Sequence, residues 1–297
     1  MKLSGLHFLL TYRCVLECDH CFTWGGPRQS GDMRMSDLHA YLEQARDVPS
    51  INSVCFEGGE PFLLYAILLQ AVQEAAAMGY EVGIVTNAYW AVSEKRALAK
   101  LKPLAGLIQS ITVSSDLFHS NEPLSPQVRH ASAAAEALGI PIGVISIAQP
   151  DVQGARSSVG QLPDGGSKVM FRGRAADKLA PAQPAYPWDN YTCCPHEDLI
   201  EPGRIHLDPL GNLHICQGIV VGNVWQTPLK VLCDQYIPEQ HPIVGPLLEG
   251  GPAELVRRYA LDHRDCYADA CHLCYSARLA LRERFPLALA PDQMYGG

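Results

Sequence analysis

Short apolar runs of strand length recur through the first half of the chain, separated by stretches whose apolar positions return with a period near 3.6 residues. The runs Leu6 to Thr11, Ser53 to Phe56, Glu81 to Thr86, Ser110 to Val113 and Pro141 to Ile147 predict buried strands. Between the second and third, Leu64, Ile67, Leu68, Ala71, Val72, Ala75 and Ala76 fall on one helical face, and Gly79 marks the C-terminal end. A further helix is predicted to start at Ser125-Pro126, with serine as N-cap and proline in the first turn, and to stop at Gly139-Ile140-Pro141. Strands alternating with helices imply parallel strands joined by right-handed crossovers. The expected fold class is α/β, a partial (β/α)6 TIM-like barrel whose functional groups gather at the C-terminal ends of the strands.

Beyond Gln149 the pattern gives way to Pro- and Gly-rich sequence, with one more strand-like piece from Lys168 to Phe171. Pro181, Pro184 and Pro187 make Ala180 to Asp189 read as an extended linker, so a boundary is expected near residue 180, with a barrel over 1–180 and a smaller unit over 181–297. In that second unit Ile205 and Leu207 precede a Pro-Leu-Gly-Asn turn and Leu213 and Ile215 follow it, which predicts a β-hairpin.

The length of 297 residues suits one barrel plus an appendage, and 47% hydrophobic with 18% charged residues is a globular composition. A net charge of -8 and a pI near 5.7 argue against nucleic acid or an anionic membrane as the main partner. No apolar run approaches a membrane span or a signal peptide, so a cytoplasmic location is expected.

In a reducing compartment the 11 cysteines are expected as free thiols or metal ligands. Cys14, Cys18 and Cys21 follow the first strand in a Cys-x3-Cys-x2-Cys spacing. An iron-sulfur cube takes four thiolates, and a loop that supplies only three leaves one iron open to a ligand. The spacing by itself also admits a zinc site or plain core thiols. Gly58-Gly59-Glu60-Pro61 ends the second strand, where glycines permit close backbone approach and a carboxylate can meet an ammonium group, although the tetrapeptide is also a turn sequence. Thr86-Asn87 ends the third strand, Ser114-Ser115-Asp116 the fourth, and Gly143 to Ile147 forms the fifth; such polar residues are equally turn formers. Cys193, Cys194, Cys216, Cys266, Cys271 and Cys274 form a second group, in which a Cys at a hairpin end and a Cys-x2-Cys pair can converge on one metal, iron or zinc.

The cysteine spacing and the strand-end motifs in this order resemble the radical S-adenosylmethionine (SAM) superfamily. The resemblance implies that Cys14, Cys18 and Cys21 hold a [4Fe-4S] cluster whose open iron binds SAM. It implies SAM contacts from Gly58, Gly59, Glu60 and Pro61, then from Thr86, Asn87, Ser114, Ser115 and Asp116, and an adenine contact near Ile145. The fifth strand lacks the second glycine and terminal Glu common in that motif. The C-terminal group resembles the SPASM extension or its shortened twitch form, with Val221-Gly222-Asn223-Val224 and Arg172-Gly173-Arg174-Ala175 as further points of likeness. This implies one auxiliary [4Fe-4S] cluster on Cys194, Cys216, Cys271 and Cys274, with Cys193 and Cys266 as substitutes. No cysteine follows Cys274 to hold a third cluster.

Cys55 and Cys233 are expected to be buried small hydrophobes, and Trp24, Trp90 and Trp188 to pack. His196, His214 and His272 are expected at the surface or beside ligands rather than on metal. Asp116 is the candidate catalytic acid or base, with Glu57, Asp198 and Tyr191 as others. The implied reaction is reductive SAM cleavage to a 5'-deoxyadenosyl radical and hydrogen abstraction from a ribosomally made peptide. The alternatives are radical dehydrogenation or rearrangement of an aminosugar-like small molecule, and a non-enzymatic iron-sulfur or zinc protein. With 13 residues before Cys14, no fused N-terminal leader-binding domain is expected, and a flavodoxin- or ferredoxin-like donor supplies electrons.

Overall fold

A computed structural model describes residues 1–150 and 165–297. Strand β1 (Leu3–Leu9) is followed by helix α1 (Met35–Arg46), then by β2 (Ser53–Glu57) and α2 (Tyr65–Ala77). Next come β3 (Glu81–Thr86), α3 (Glu94–Leu101), β4 (Ser110–Ser114), α4 (Pro126–Ala137), β5 (Ile142–Ile147) and a short β6 (Gly165–Ser167). These six strands lie side by side in sequence order, every neighbouring pair parallel. The five predicted strands all form, as does the α2 face of Leu68, Ala71, Val72 and Ala75, which is buried. Complete burial of a side chain such as Leu68 stabilises by about 1.5–3 kcal/mol. Ser125 caps α4 by accepting from the Val128 N–H at 3.2 Å, with Pro126 in the first turn.

Side-chain alternation along the strands separates two environments. Phe8, Phe56, Ile84 and Val113 point outward to the helices and are buried, with Phe8 and Phe56 stacked at 5.4 Å and Tyr41 of α1 over Phe8. The alternate positions, among them His7, Glu57, Val85, Ser114 and Ile145, line the barrel interior.

Two expectations are corrected. Residues 168–171 are not a strand; the strand is Gly165–Ser167, where the Ser167 carbonyl accepts from the Ala148 N–H at 2.9 Å. After it the chain turns away, with the Phe171 N–H donating to Asp269 at 3.2 Å. The predicted linker is only partly extended: turns of 3-10 helix at Ala180–Ala182 and Trp188–Asn190 flank β7 (Tyr186–Pro187). The Pro- and Gly-rich sequence after Gln149 falls largely on residues 151–164, outside the described residues.

Helix α5 (Arg174–Lys178) precedes β7, and the predicted hairpin follows as β8 (Gly203–Leu207) and β9 (Asn212–Cys216), extended by β10 (Ile219–Asn223). The hairpin does not stand apart from the barrel. Strand β8 pairs parallel with β1, His206 opposite His7, so the sheet runs β10-β9-β8-β1-β2-β3-β4-β5-β6. Helices α6 (Leu229–Gln235) and α7 (Val244–Tyr259), strand β11 (Cys266–Tyr267), paired with β7, and α8 (Ala270–Leu281) complete the chain. Among the described residues no helix is long and apolar enough to cross a membrane.

Candidate active site

A cavity of about 200 Å³ opens at the C-terminal ends of the parallel strands, and Cys14, Cys18 and Cys21 line it together with Gly58 and Gly59. Thr86, Asn87, Ser114, Asp116 and Ile145 line the same cavity. The sequence-predicted residues are therefore brought together from five strand ends, apart from Glu60, Pro61 and Ser115.

The glycines are required by the cysteine loop itself. A Cβ on Gly59 would lie 2.1 Å from the Arg13 carbonyl oxygen, and one on Gly58, whose φ is +138°, 2.6 Å from that of Thr11. The Gly59 N–H donates to Thr11 at 2.6 Å and the Glu60 N–H to Arg13 at 2.9 Å, so the end of β2 is docked on the loop that carries Cys14. Glu60 is fully buried: its carboxylate accepts from Thr86 Oγ1 at 2.7 Å, the Asn87 N–H at 2.8 Å and the Phe62 N–H at 3.0 Å. Burial outweighs these bonds and pushes the Glu60 carboxyl up to about 7. Ser115 Oγ donates to the Pro123 carbonyl at 2.7 Å and likewise serves the loop.

Each of two sulfurs has its own donors. Cys14 Sγ accepts from the Leu16 N–H and from Asn87 Nδ2, both at 3.4 Å, and Cys21 Sγ accepts from the Gly25 N–H at 3.2 Å. Burial, only partly offset by the Leu16 N–H, pushes the Cys14 thiol up to about 11. Burial, then the sulfurs of Cys21 and Cys14, push the Cys18 thiol well above its usual range. Desolvated thiols ionise against a cation, and three cysteines lining one cavity, two of them with N–H donors on sulfur, fit a metal cluster.

Asp116 is 2% exposed and fully engaged. Oδ1 accepts from the Phe118 N–H at 2.9 Å and pairs with His119 Nδ1 at 2.8 Å, and Oδ2 accepts from the Ile147 N–H at 3.0 Å. Burial opposes its ionisation, but the His119 bond and charge hold it below the usual carboxylate range. It is an ionised anchor between β4 and β5. Tyr191 and Asp198 line neither this cavity nor the second one described below: Tyr191 donates to the Tyr267 carbonyl at 2.6 Å, and exposed Asp198 caps the Ile200 and Glu201 N–H groups.

The sequence points to Glu57 but not to the two histidines around it. On the barrel wall Glu57 Oε1 lies 2.7 Å from His7 Nδ1 and 3.1 Å from His206 Nε2, each side chain at most 16% exposed. Burial opposes ionisation of Glu57, but the two imidazoles outweigh it and hold the carboxyl well below its usual range. Burial pushes His206 down to about 4, so it is neutral near pH 7. The alternation Arg204-Ile205-His206-Leu207-Asp208 was the available signal, because it puts His206 on the face opposite two buried aliphatics.

Cys194, Cys216, Cys271 and Cys274 line a second cavity with Arg172 and Arg278. Cys216 ends β9, and Cys271 and Cys274 share a face of the first turn of α8, which Asp269 caps through the His272 N–H at 2.7 Å. Burial, then the Cys216 sulfur, push Cys194 up to about 12, and burial also raises Cys271 and Cys274. Two buried guanidiniums beside four thiols suit a site that becomes anionic when the sulfurs ionise. Cys193 and Cys266 are exposed and line neither cavity.

Cys55 and Cys233 are buried as expected. Trp90 stacks on Phe62 at 4.3 Å, Trp24 Nε1 donates to Tyr275 at 2.9 Å and Trp188 packs on His263. Of the histidines expected at the surface or beside ligands, His214 and His272 are both buried, His214 beside Asp208 at 3.0 Å and His272 next to Cys271 in α8.

Residues 8–131 match the family model for the Radical SAM superfamily. That stretch carries a radical SAM domain, which implies a [4Fe-4S] cluster and SAM as cofactors. The Bacillus subtilis (strain 168) protein YydG, whose name provisionally assigns it to peptide biosynthesis, is 24% identical over 112 residues, 37% of this chain and 35% of YydG. The tungsten-containing aldehyde ferredoxin oxidoreductase cofactor-modifying protein of Pyrococcus furiosus is 31% identical over 83 residues, 28% of this chain and 23% of that protein. The matches thus span about a third or less of these relatives. The structure of BtrN in complex with AdoMet and 2-DOIA shares the fold, with a TM-score of 0.52 and 16% identity over 78% of this chain and 83% of BtrN.

Proposed function

We propose that this chain is an enzyme that cleaves SAM reductively and abstracts a hydrogen atom from a substrate, with Cys14, Cys18 and Cys21 holding the [4Fe-4S] cluster. The observation that carries this reading is the convergence of those thiols and the strand-end residues Gly58, Gly59, Thr86, Asn87, Ser114, Asp116 and Ile145 on one cavity. Cluster and SAM, when bound there, supply a 5'-deoxyadenosyl radical. The protein's own residues do the rest. Asn87 and the Gly25 N–H orient sulfur, Glu60 and Asp116 fix the strand ends, and Val85, Ile145 and Ile147 make a dry wall that shields a radical from water.

The favoured substrate is a ribosomally made peptide, which the partial likeness to YydG supports. The His7, Glu57 and His206 cluster favours a second reading, a small polar molecule, because it offers fixed hydrogen-bond partners inside the barrel. We further propose that residues 181–297 contribute an auxiliary [4Fe-4S] centre on Cys194, Cys216, Cys271 and Cys274, and that a flavodoxin- or ferredoxin-like protein donates electrons. The test is electron paramagnetic resonance of the reduced protein. Adding SAM shifts the signal that disappears in the Cys14, Cys18, Cys21 triple alanine variant; a signal insensitive to SAM contradicts the reading.

A further inference from the structure

Arg172 is the one residue, among those described, that lines both cavities. Its Nη1 donates to Cys216 Sγ at 3.0 Å and to Glu197 Oε1 at 3.0 Å, and both charged side chains are 11% exposed. On its other side the guanidinium lies 5.6 Å from the ring centre of Phe22, the residue after Cys21.

The neighbouring residues fix that position. Gly173 has φ +59°, and a Cβ there would lie 2.7 Å from both the Cys21 carbonyl oxygen and Phe22 Cα. The Arg174 N–H donates to Cys21 at 3.0 Å, and its guanidinium donates to the Cys18 and Gly25 carbonyls, each at 2.8 Å. Arg172-Gly173-Arg174 is therefore a strut, pinned under the first cysteine loop at one end and bonded to a sulfur of the second site at the other.

A hydrogen bond to a ligating sulfur and a fixed positive charge both favour the more negative, reduced state of an iron-sulfur centre. Burial makes each effect larger than it would be in water. From this geometry we infer that Arg172 raises the reduction potential of the auxiliary centre, and that Glu197, which holds the guanidinium in place, moderates the rise. The inference rests on the auxiliary-cluster reading above. Reduction adds one electron to the centre from an external reductant, Arg172 stays protonated, and no bond is made or broken.

The experiment is a dithionite titration followed by electron paramagnetic resonance on the reconstituted full chain, the Arg172→Gln variant and the Glu197→Gln variant, with iron counted in each. Arg172→Gln lowers the auxiliary potential by at least a tenfold change in the reduction equilibrium, about 59 mV for one electron. Glu197→Gln moves it the other way, an opposition that a merely structural role does not produce. About eight irons in the parent with both potentials unmoved overturns the inference and leaves the cluster assignment standing. About four irons in the parent overturns the auxiliary cluster itself and the inference with it. Should Arg172→Gln lose iron, Glu197→Gln decides alone: a raised potential supports the inference and an unchanged one sinks it.

Discussion

Asn87 Nδ2, at the end of β3, donates to the sulfur of Cys14 at 3.4 Å, across 73 residues of sequence. The same residue donates its backbone N–H to Glu60 at 2.8 Å and accepts the Tyr89 N–H at 3.0 Å, so its amide is held towards the sulfur. A hydrogen bond to a charged group contributes about 1.5–3 kcal/mol. Asn87→Ala is expected to keep its full iron content and to slow dithionite-driven 5'-deoxyadenosine formation by about tenfold. An unchanged rate would show that the amide does not act on the sulfur.

Gly59 makes the second prediction. With a Cβ only 2.1 Å from the Arg13 carbonyl, Gly59→Ala must push the end of β2 off the cysteine loop. Overpacking of this kind costs about 1–3 kcal/mol, sometimes more. The variant is expected to lose the cluster of Cys14, Cys18 and Cys21 and to retain the second, falling from about eight irons to about four. Retention of SAM cleavage in this variant would contradict the docking role.

Buried Glu60 gives a pH dependence with a definite sign. Its folded pKa, pushed up to about 7, lies above its ordinary value of 4.5, so the folded state holds more protons between those limits than the unfolded state. The group's contribution to stability is complete below 4.5 and declines as pH rises through about 7. The decline amounts to about 3 kcal/mol at one pKa unit per 1.36 kcal/mol. Glu60→Gln cannot titrate. Denaturant unfolding at pH 5.5 and pH 8 should show the wild type losing stability relative to the variant as pH rises, and a pH-independent difference would contradict the shift.

The cluster of His7, Glu57 and His206 faces the same cavity as the cysteines. His206→Phe is expected to leave SAM cleavage within about twofold of wild type while reducing hydrogen abstraction from substrate by at least about tenfold, as loss of an oriented substrate does. The readout is the ratio of substrate consumed to 5'-deoxyadenosine formed. An unchanged ratio would remove the cluster from substrate binding.

The barrel was legible in the sequence because its strands are short continuous apolar runs and its helices carry single buried faces, as in α2 with Leu68, Ala71, Val72 and Ala75. The site was legible because its residues follow strand ends: Thr86 and Asn87 are adjacent in sequence and both line the cavity. What chemistry a residue performs was less visible. Glu60 and Asp116 read as cofactor contacts, Asp116 also as an acid or base, and what no local pattern encodes is that long-range partners such as the Asn87 and Ile147 N–H groups engage them in holding the framework. Lys168 to Phe171 read as a strand on apolar content alone, whereas pairing with β5 had already ended at Ser167. The place of β8 beside β1, which brings His206 to His7, is a contact across 199 residues that no local pattern encodes.

The most direct test is anaerobic reconstitution with iron and sulfide, followed by measurement of 5'-deoxyadenosine from SAM and dithionite in the parent and in the Cys14, Cys18, Cys21 triple alanine variant. The proposed activity predicts nucleoside from the parent and none from the variant, with about four irons lost between them. Nucleoside formation that survives the three substitutions, or a parent that holds its iron and makes none with substrate present, would contradict it.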